Sequence, residues 1–320
     1  MRKKLLILFI VLPILTFGQA NKLYRKALRT VDLNEKIAIL NQAITLDPSH
    51  LDAYFLRAVS KNDLGDYSGA IIDYSKIILS KPDADTFFNR GNSRFSMKDF
   101  IGARNDYAKA FELDPGFIDA LYSLACVKYD LEDFNGAIND FTKILKIVPN
   151  FSKVYMHRAA SYKAIESYKK ALNDYSLAIM IAPNANSYYN RGAFYLDIRY
   201  YKKANKDLTN SLRFNGNNTF AHFYRGASFL LLGKYEKAII DFNNALKLDP
   251  VDFDALIGLT LCYYKLNNLN SSKGYLNKTN EILNPDGNLK SPDLYENTYW
   301  YQNHYYFFIN NIKELENNLD

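Results

Sequence analysis

Cysteine is scarce in this sequence: Cys126 and Cys262 are the only two in 320 residues. Histidine is scarce too, and His50, His157, His222 and His304 are scattered without the close spacing of metal ligands. No nucleophile and base pair, glycine-rich phosphate loop or paired-carboxylate arrangement stands out, which argues against an enzyme and leaves no cofactor and no metal to assign. Charge of one sign is not in large excess either. The formal charge is +6, and it falls to +3 when Arg2, Lys3 and Lys4 are set aside, too little to point to nucleic acid. The mostly apolar run from Leu5 to Phe17 is shorter than the ~20 residues that a membrane-spanning helix needs.

What is present begins with a leader. Arg2, Lys3 and Lys4 precede that apolar run, and small residues close it at Thr16, Gly18 and Ala20. This is the order of a secretory signal peptide over residues 1–20, cleaved after Gly18 or after Ala20; an uncleaved anchor is the alternative, and the run is short for one. No cysteine lies near the cleavage region, so a lipid-modified amino terminus is not indicated. The protein is expected to be exported, periplasmic or secreted, with no integral membrane span after the leader is removed.

The rest of the chain is organised by repetition. Pro48, Pro82, Pro115, Pro149 and Pro183 are spaced by 34, 33, 34 and 34 residues, Gly216 stands where the next proline would fall, and Pro250 follows 34 residues later. Proline stops a helix because it lacks an amide proton and clashes with the preceding turn. Small residues keep the same register, at Ala58, Gly91, Ala125, Ala159, Gly192 and Gly226 and again at Ala70, Ala103, Ala137, Ala171, Ala204 and Ala238. Within one period His222, Gly226 and Phe229 stand at i, i+4 and i+7, and Ala238, Phe242 and Ala245 repeat that spacing after a break at Gly233. Each period is therefore two short amphipathic helices, with small residues letting the backbones approach while aromatics fill the gaps.

The stretch Thr219 to Pro250 carries the signature most fully, with Phe223-Tyr224-Arg225-Gly226, then Tyr235-Glu236-Lys237-Ala238, then Leu248-Asp249-Pro250. In these residues and in its period the chain resembles the tetratricopeptide repeat family, over roughly residues 23–283. The resemblance implies an all-α, right-handed superhelical solenoid of helix-turn-helix repeats whose first helices line a concave groove for protein or peptide partners. Residues 21–48 form a degenerate first repeat with a truncated first helix, 49–250 six regular repeats, and 251–283 a degenerate eighth with Thr260, Ser272 and Thr279 at the small positions. In this register Cys126 and Cys262 lie in first helices four repeats apart. At roughly 9 to 10 Å per packed layer they are beyond bridging distance.

Two sets of side chains recur. Arg57, Arg90, Arg158, Arg191 and Arg225 are each followed 16 residues later by Asp73, Asp106, Asp174, Asp207 and Asp241, while the fourth repeat has Leu124 with Asp140. A bidentate pair between the two helices of a hairpin would make this a structural ion-pair ladder; an anion-binding stripe is the alternative. The second set comes from the resemblance, which places Phe55, Phe88, Tyr122, Met156, Tyr189, Phe223 and Ile257 on the concave side, supplemented by Asn89, Asn92, His157 and Asn190. This candidate partner-binding groove suits an extended segment or a partner helix, with Tyr122, Tyr189 and Phe223 as first choices; packing of the aromatics within their own repeats is the other reading. The Lys and Asn pattern with which some relatives clamp a terminal carboxylate is not reproduced.

Residues 284–320 follow Asn284-Pro285-Asp286-Gly287 with a helical stripe of Leu294, Thr298, Tyr301, Tyr305, Phe308, Ile312 and Leu315, read as a C-terminal capping helix. Tyr299, Trp300, Tyr306 and Phe307 lie off that stripe, so a docking surface for a second chain is the other reading. The sequence thus predicts a non-enzymatic scaffold or adaptor of the cell envelope holding a partner segment in the groove, or a structural component that self-associates through its aromatic tail.

Overall fold

The computed structural model describes residues 18–289 and 291–319, of which 316–319 by their backbone alone. The leader at residues 1–17 lies outside the described residues. All the described secondary structure is helical. Helix α1 (18–29) pairs with α2 (Leu33–Leu46), and the regular hairpins follow as α3 (Leu51–Asp63) with α4 (Tyr67–Ser80), α5 (Ala84–Ser96) with α6 (Phe100–Leu113), and α7 (Ile118–Asp130) with α8 (Phe134–Ile147). Next come α9 (Ser152–Ala164) with α10 (Tyr168–Ile181), α11 (Ala185–Asp197) with α12 (Tyr201–Phe214), and α13 (Thr219–Leu231) with α14 (Tyr235–Leu248). The eighth hairpin is α15 (Phe253–Lys265) with α16 (Leu269–Leu283), and a 3-10 turn at Asp293–Tyr295 leads into α17 (Tyr299–Leu319).

The chain divides into two compact units, an N-terminal one of Met1–Asn150 with Ala160–Ser167 and a C-terminal one of Phe151–Ala159 with Tyr168–Asp320. Within each, consecutive hairpins stack through their small positions. Ala58, Ala70, Ala103 and Ala125 have no exposed surface in the first unit, nor have Ala159, Ala171, Ala204 and Ala238 in the second. Close approach between helices surrounds Phe242, where a Cβ on Gly226 would lie 2.9 Å from its ring and one on Gly258 2.5 Å. Only glycine lets one ring be gripped from both sides.

The turns are as regular as the helices. Between the two helices of each regular hairpin one residue adopts positive φ: Gly65 and Gly233 take it without steric cost, whereas Lys98, Glu132, Glu166 and Arg199 take it with a Cβ. In the N-terminal unit Asp66, Asp99 and Asp133 cap the second helices by accepting the amides of Gly69, Gly102 and Gly136. Each second helix ends at its proline register, and α12 stops at Phe214 although Gly216 replaces the proline there.

Two boundaries differ from the sequence reading. The first helix of the first repeat, expected to be truncated, spans 18–29 among the described residues. The stripe from Leu294 to Leu315 is not one helix, because α17 begins at Tyr299 and its backbone leaves helical geometry at His304, with φ −136° and ψ 40°. The break changes which face is buried. Trp300, off the expected stripe, is fully buried, as are Phe308, Ile312 and Leu315, whereas Tyr305 on the stripe is 41% exposed. Helix α17 packs along the first helix α15, while α16 carries exposed Lys273, Asn277, Lys278 and Glu281.

Candidate partner-binding face

The arginine and aspartate series forms inside the hairpins. Arg57 Nε and Nη2 reach the two carboxylate oxygens of Asp73 at 2.8 and 2.6 Å, and Arg90 reaches Asp106 at 2.9 and 2.7 Å. In the C-terminal unit Arg158 meets Asp174 at 2.7 and 2.9 Å, Arg191 meets Asp207 at 2.7 and 3.0 Å, and Arg225 meets Asp241 at 2.7 and 2.7 Å. The five carboxylates are between 1% and 3% exposed. Charges removed from water in this way are tolerated because each fork is bidentate. The remaining guanidinium nitrogens are also engaged in four hairpins, by Asn41, Ser75, Ser176 and Thr209, which leaves those arginines little to offer an outside anion.

The fourth hairpin solves the problem differently. Leu124 cannot serve Asp140, so Lys128 and Lys143 hold that buried carboxylate. Lys128 belongs to a second cation series that sequence reading missed. Lys61 and Arg94 stand at the same place, three residues after the small residue, and reach Asp73 and Asp106, each at 2.9 Å. The signal was a basic residue at Lys61, Arg94 and Lys128, where the later first helices α11, α13 and α15 carry Tyr195, Phe229 and Tyr263.

The candidate groove residues lie on the first helices, but in different surroundings. In the N-terminal unit Phe55, Phe88 and Tyr122 are half-buried. Their inner edges rest on second-helix rings, Phe55 on Tyr74 at 5.7 Å, Phe88 on Tyr107 at 5.7 Å and Tyr122 on Phe141 at 6.2 Å between centroids. Asn92 Oδ1 accepts the Tyr107 hydroxyl at 2.9 Å, and Asn89 donates to the carbonyl of Asp85 one turn back at 2.8 Å. Exposed carboxylates stand one turn before the ladder, at Asp52, Asp85 and Asp119, in the first turns of α3, α5 and α7.

In the C-terminal unit Met156, His157, Tyr189 and Asn190 are half-buried. Asn190 Nδ2 lies 3.7 Å from the Met156 sulfur, and burial, with Lys153 nearby, lowers the His157 pKa. Tyr189 packs edge-on to Tyr224 at 5.8 Å. Phe223 and Ile257 are different: Phe223 is 6% exposed and Ile257 not at all. The sequence reading placed both in an open groove, and the structure places them under the chain's own C-terminal helix. Tyr299 stands edge-on to Phe223 at 5.1 Å and Trp300 at 6.0 Å.

The seat of α17 is specific. Asp254 Oδ1 accepts the Tyr299 amide at 2.9 Å, and the Asp254 carbonyl accepts Trp300 Nε1 at 2.8 Å. Thr298 Oγ1 caps α17 by accepting the Tyr301 amide at 3.2 Å, and the Asp254 carboxylate takes the first amide that this cap leaves free. At the far end Tyr264 donates to Glu314 at 3.2 Å, so α17 runs parallel to α15. Burial raises the Asp254 carboxyl to about 7, the Tyr299 amide opposing and Asp252 adding to the rise. Burial, with Arg199 nearby, lowers His304 to about 4 while its Nε2 lies 3.0 Å from the Tyr299 hydroxyl. Burial also pushes the Cys262 thiol up, as for a core cysteine.

Comparisons with known proteins follow from this geometry. Residues 118–151 and 220–252 each match a tetratricopeptide repeat family model. A tetratricopeptide repeat protein from Parabacteroides merdae superposes with a TM-score of 0.60 at 19% identity, over 77% of this chain and 99% of its own. The C-terminal part of a tetratricopeptide repeat-containing protein from Cytophaga hutchinsonii gives a TM-score of 0.60 at 20% identity, over 76% of this chain and 99% of its own. The Cut9–Hcn1 structure of the APC/C is similar with a TM-score of 0.56 at 18% identity over 82% of this chain, which spans only 52% of that one. No curated protein matches the sequence. Residues 118–151 and 220–252 are thus tetratricopeptide repeats, and the fold of such repeats extends over three quarters of the chain; proteins built from these repeats mediate protein–protein interactions.

Proposed function

We propose that the protein is a non-enzymatic scaffold or adaptor of the cell envelope that holds segments of partner proteins against its first helices. The observation that carries this reading is α17 itself. The first-helix face of the C-terminal unit already holds a polypeptide, with Trp300 buried on Phe223 and anchored to Asp254. The same helices of the N-terminal unit present Phe55, Phe88 and Tyr122, each half-buried. Buried aromatics are where binding energy concentrates, and polar neighbours such as Asn89 and Asp85 set the register. Export rests on the leader, Arg2-Lys3-Lys4 ahead of Leu5 to Phe17. Self-association through the tail has less to draw on, because Trp300, Phe308, Ile309, Ile312 and Leu315 are used within the chain.

The test is affinity capture from the envelope fraction of the source cells, with Phe55→Ala, Phe88→Ala and Tyr122→Ala combined in a parallel bait. Partners lost with the triple variant, while its helical circular dichroism is kept, support the reading. Partners retained by that variant contradict it, as does a native chain that stays with the cytosolic fraction.

A further inference from the structure

The seat of α17 is defined by register. Asp254 is the second residue of its first helix and Ile257 the fifth, and the aromatic wall comes from the fifth residue of the preceding first helix, Phe223. The other first helices of the C-terminal unit carry Lys153, Asn186 and Phe220 as their second residue, so in that unit only α15 offers a carboxylate there. In the N-terminal unit every regular first helix does: Asp52 precedes Phe55, Asp85 precedes Phe88 and Asp119 precedes Tyr122, each by three residues.

A carboxylate in a first turn favours its own helix dipole by about 0.3–1 kcal/mol, and that alone could place aspartate there. In α3 and α5 the helix does not need it as a cap, because His50 and Asp83 fill that place, whereas α7 has no side-chain cap at Phe117. The three carboxylates are exposed, and each stands one turn from a half-buried ring. The register of the seat that receives α17 therefore recurs twice, as Phe55 with Asp85 and as Phe88 with Asp119, the second with the Phe117 ring 4.8 Å from Phe88.

Resting on the function proposed above, we propose that the N-terminal unit binds a partner α-helix in the manner of α17, its first amides on Asp85 or Asp119 and its aromatic anchor on Phe55 or Phe88. The occupant is an amphipathic helix with an aromatic pair in its first turn, lying parallel to the first helices. Its first turn carries no acidic residue, as that of α17 carries none, because the seat supplies the negative charge. A helix of about 20 residues is 30 Å long, enough to run the length of a first helix and beyond.

The test uses the full chain, with its own α17 in place, and a fluorescent synthetic peptide of residues 296–315 as the probe, followed by anisotropy. The proposal expects saturable binding that weakens at least about tenfold with Asp85→Asn and Asp119→Asn combined, or with Phe55→Leu and Phe88→Leu combined, a loss of the size of one charge-assisted hydrogen bond or one apolar anchor at each seat. Substituting alanine for the tryptophan of the peptide should weaken it similarly, and Ile72→Ala, at an exposed second-helix position of the protein, should not. Binding absent, binding equal for a scrambled peptide, or binding indifferent to Asp85→Asn with Asp119→Asn overturns the proposal. Both aspartate changes are at exposed positions, so loss of fold does not confound them. Cellular partners that depend on Phe88 but not on either aspartate would overturn the helix seat and leave the broader function standing. Partners that depend on neither would remove both.

Discussion

Trp300 donates its indole N–H to the backbone carbonyl of Asp254 at 2.8 Å, and the carboxylate of the same aspartate accepts the amide of Tyr299 at 2.9 Å. One residue of α15 thus fixes both the start and the anchor of α17. Trp300→Ala should remove about 3–5 kcal/mol from docking of that helix. The loss should appear as fast amide exchange and early protease cleavage across 299–315, with exchange in α3–α8 unchanged. Exchange across 299–315 as slow as in the native chain would show that the anchor is not Trp300.

The same contact predicts a pH signature. Asp254 has a folded pKa of about 7, above its unfolded value, so its contribution is full below about pH 4 and is lost as pH rises through about 7. His304 has a folded pKa of about 4, below its unfolded value, so its contribution is full above about pH 6.5 and is lost as pH falls through about 4. Between these limits the slopes oppose. His304→Gln should leave α17 docked more firmly at pH 5 than at pH 8, and Asp254→Asn less firmly at pH 4 than at pH 7. Trp300 is the only tryptophan in the chain, so its emission during denaturant titration reads docking directly. Equal midpoints at all pH values in both variants would remove the assignment.

The ion-pair ladder makes an uneven prediction. Asp207 is 3% exposed and is held by Arg191, so Arg191→Met should cost about 3–5 kcal/mol by leaving a buried charge unpaired. Adding Asp207→Leu should restore most of it. Arg90→Met should cost less, because Arg94 still reaches Asp106 at 2.9 Å. Chemical denaturation of the three variants checks the order, and equal losses for Arg90→Met and Arg191→Met would contradict it.

The period of the chain was legible in the sequence because proline and small residues are local signals: a missing amide stops a helix wherever it falls, and a missing side chain permits close approach. The Arg–Asp pairs were legible for a related reason, since a constant separation of 16 residues links the helices of one hairpin. Asp140 was not, because Lys128 reaches it from a place that aromatic residues occupy in later repeats. The fate of Phe223 and Ile257 was also hidden. Their pattern matches that of Phe55 and Phe88, and only the path of α17, 40 or more residues further on, decides which rings stay in contact with water. The stripe of the tail held at Thr298, Phe308, Ile312 and Leu315, and it failed at exposed Tyr305 and missed buried Trp300 because a single non-helical residue, His304, shifts the phase between the two halves of α17.

The central claim is that the first helices of the N-terminal unit hold a protein partner. Its most direct test places a photo-crosslinking phenylalanine analogue at position 88 of the full chain in the source cells, with position 72, where Ile72 is 68% exposed on a second helix, as the control. A discrete protein adduct from position 88 that is absent from position 72 is the predicted result. No adduct from position 88, or the same adduct from both positions, would contradict it.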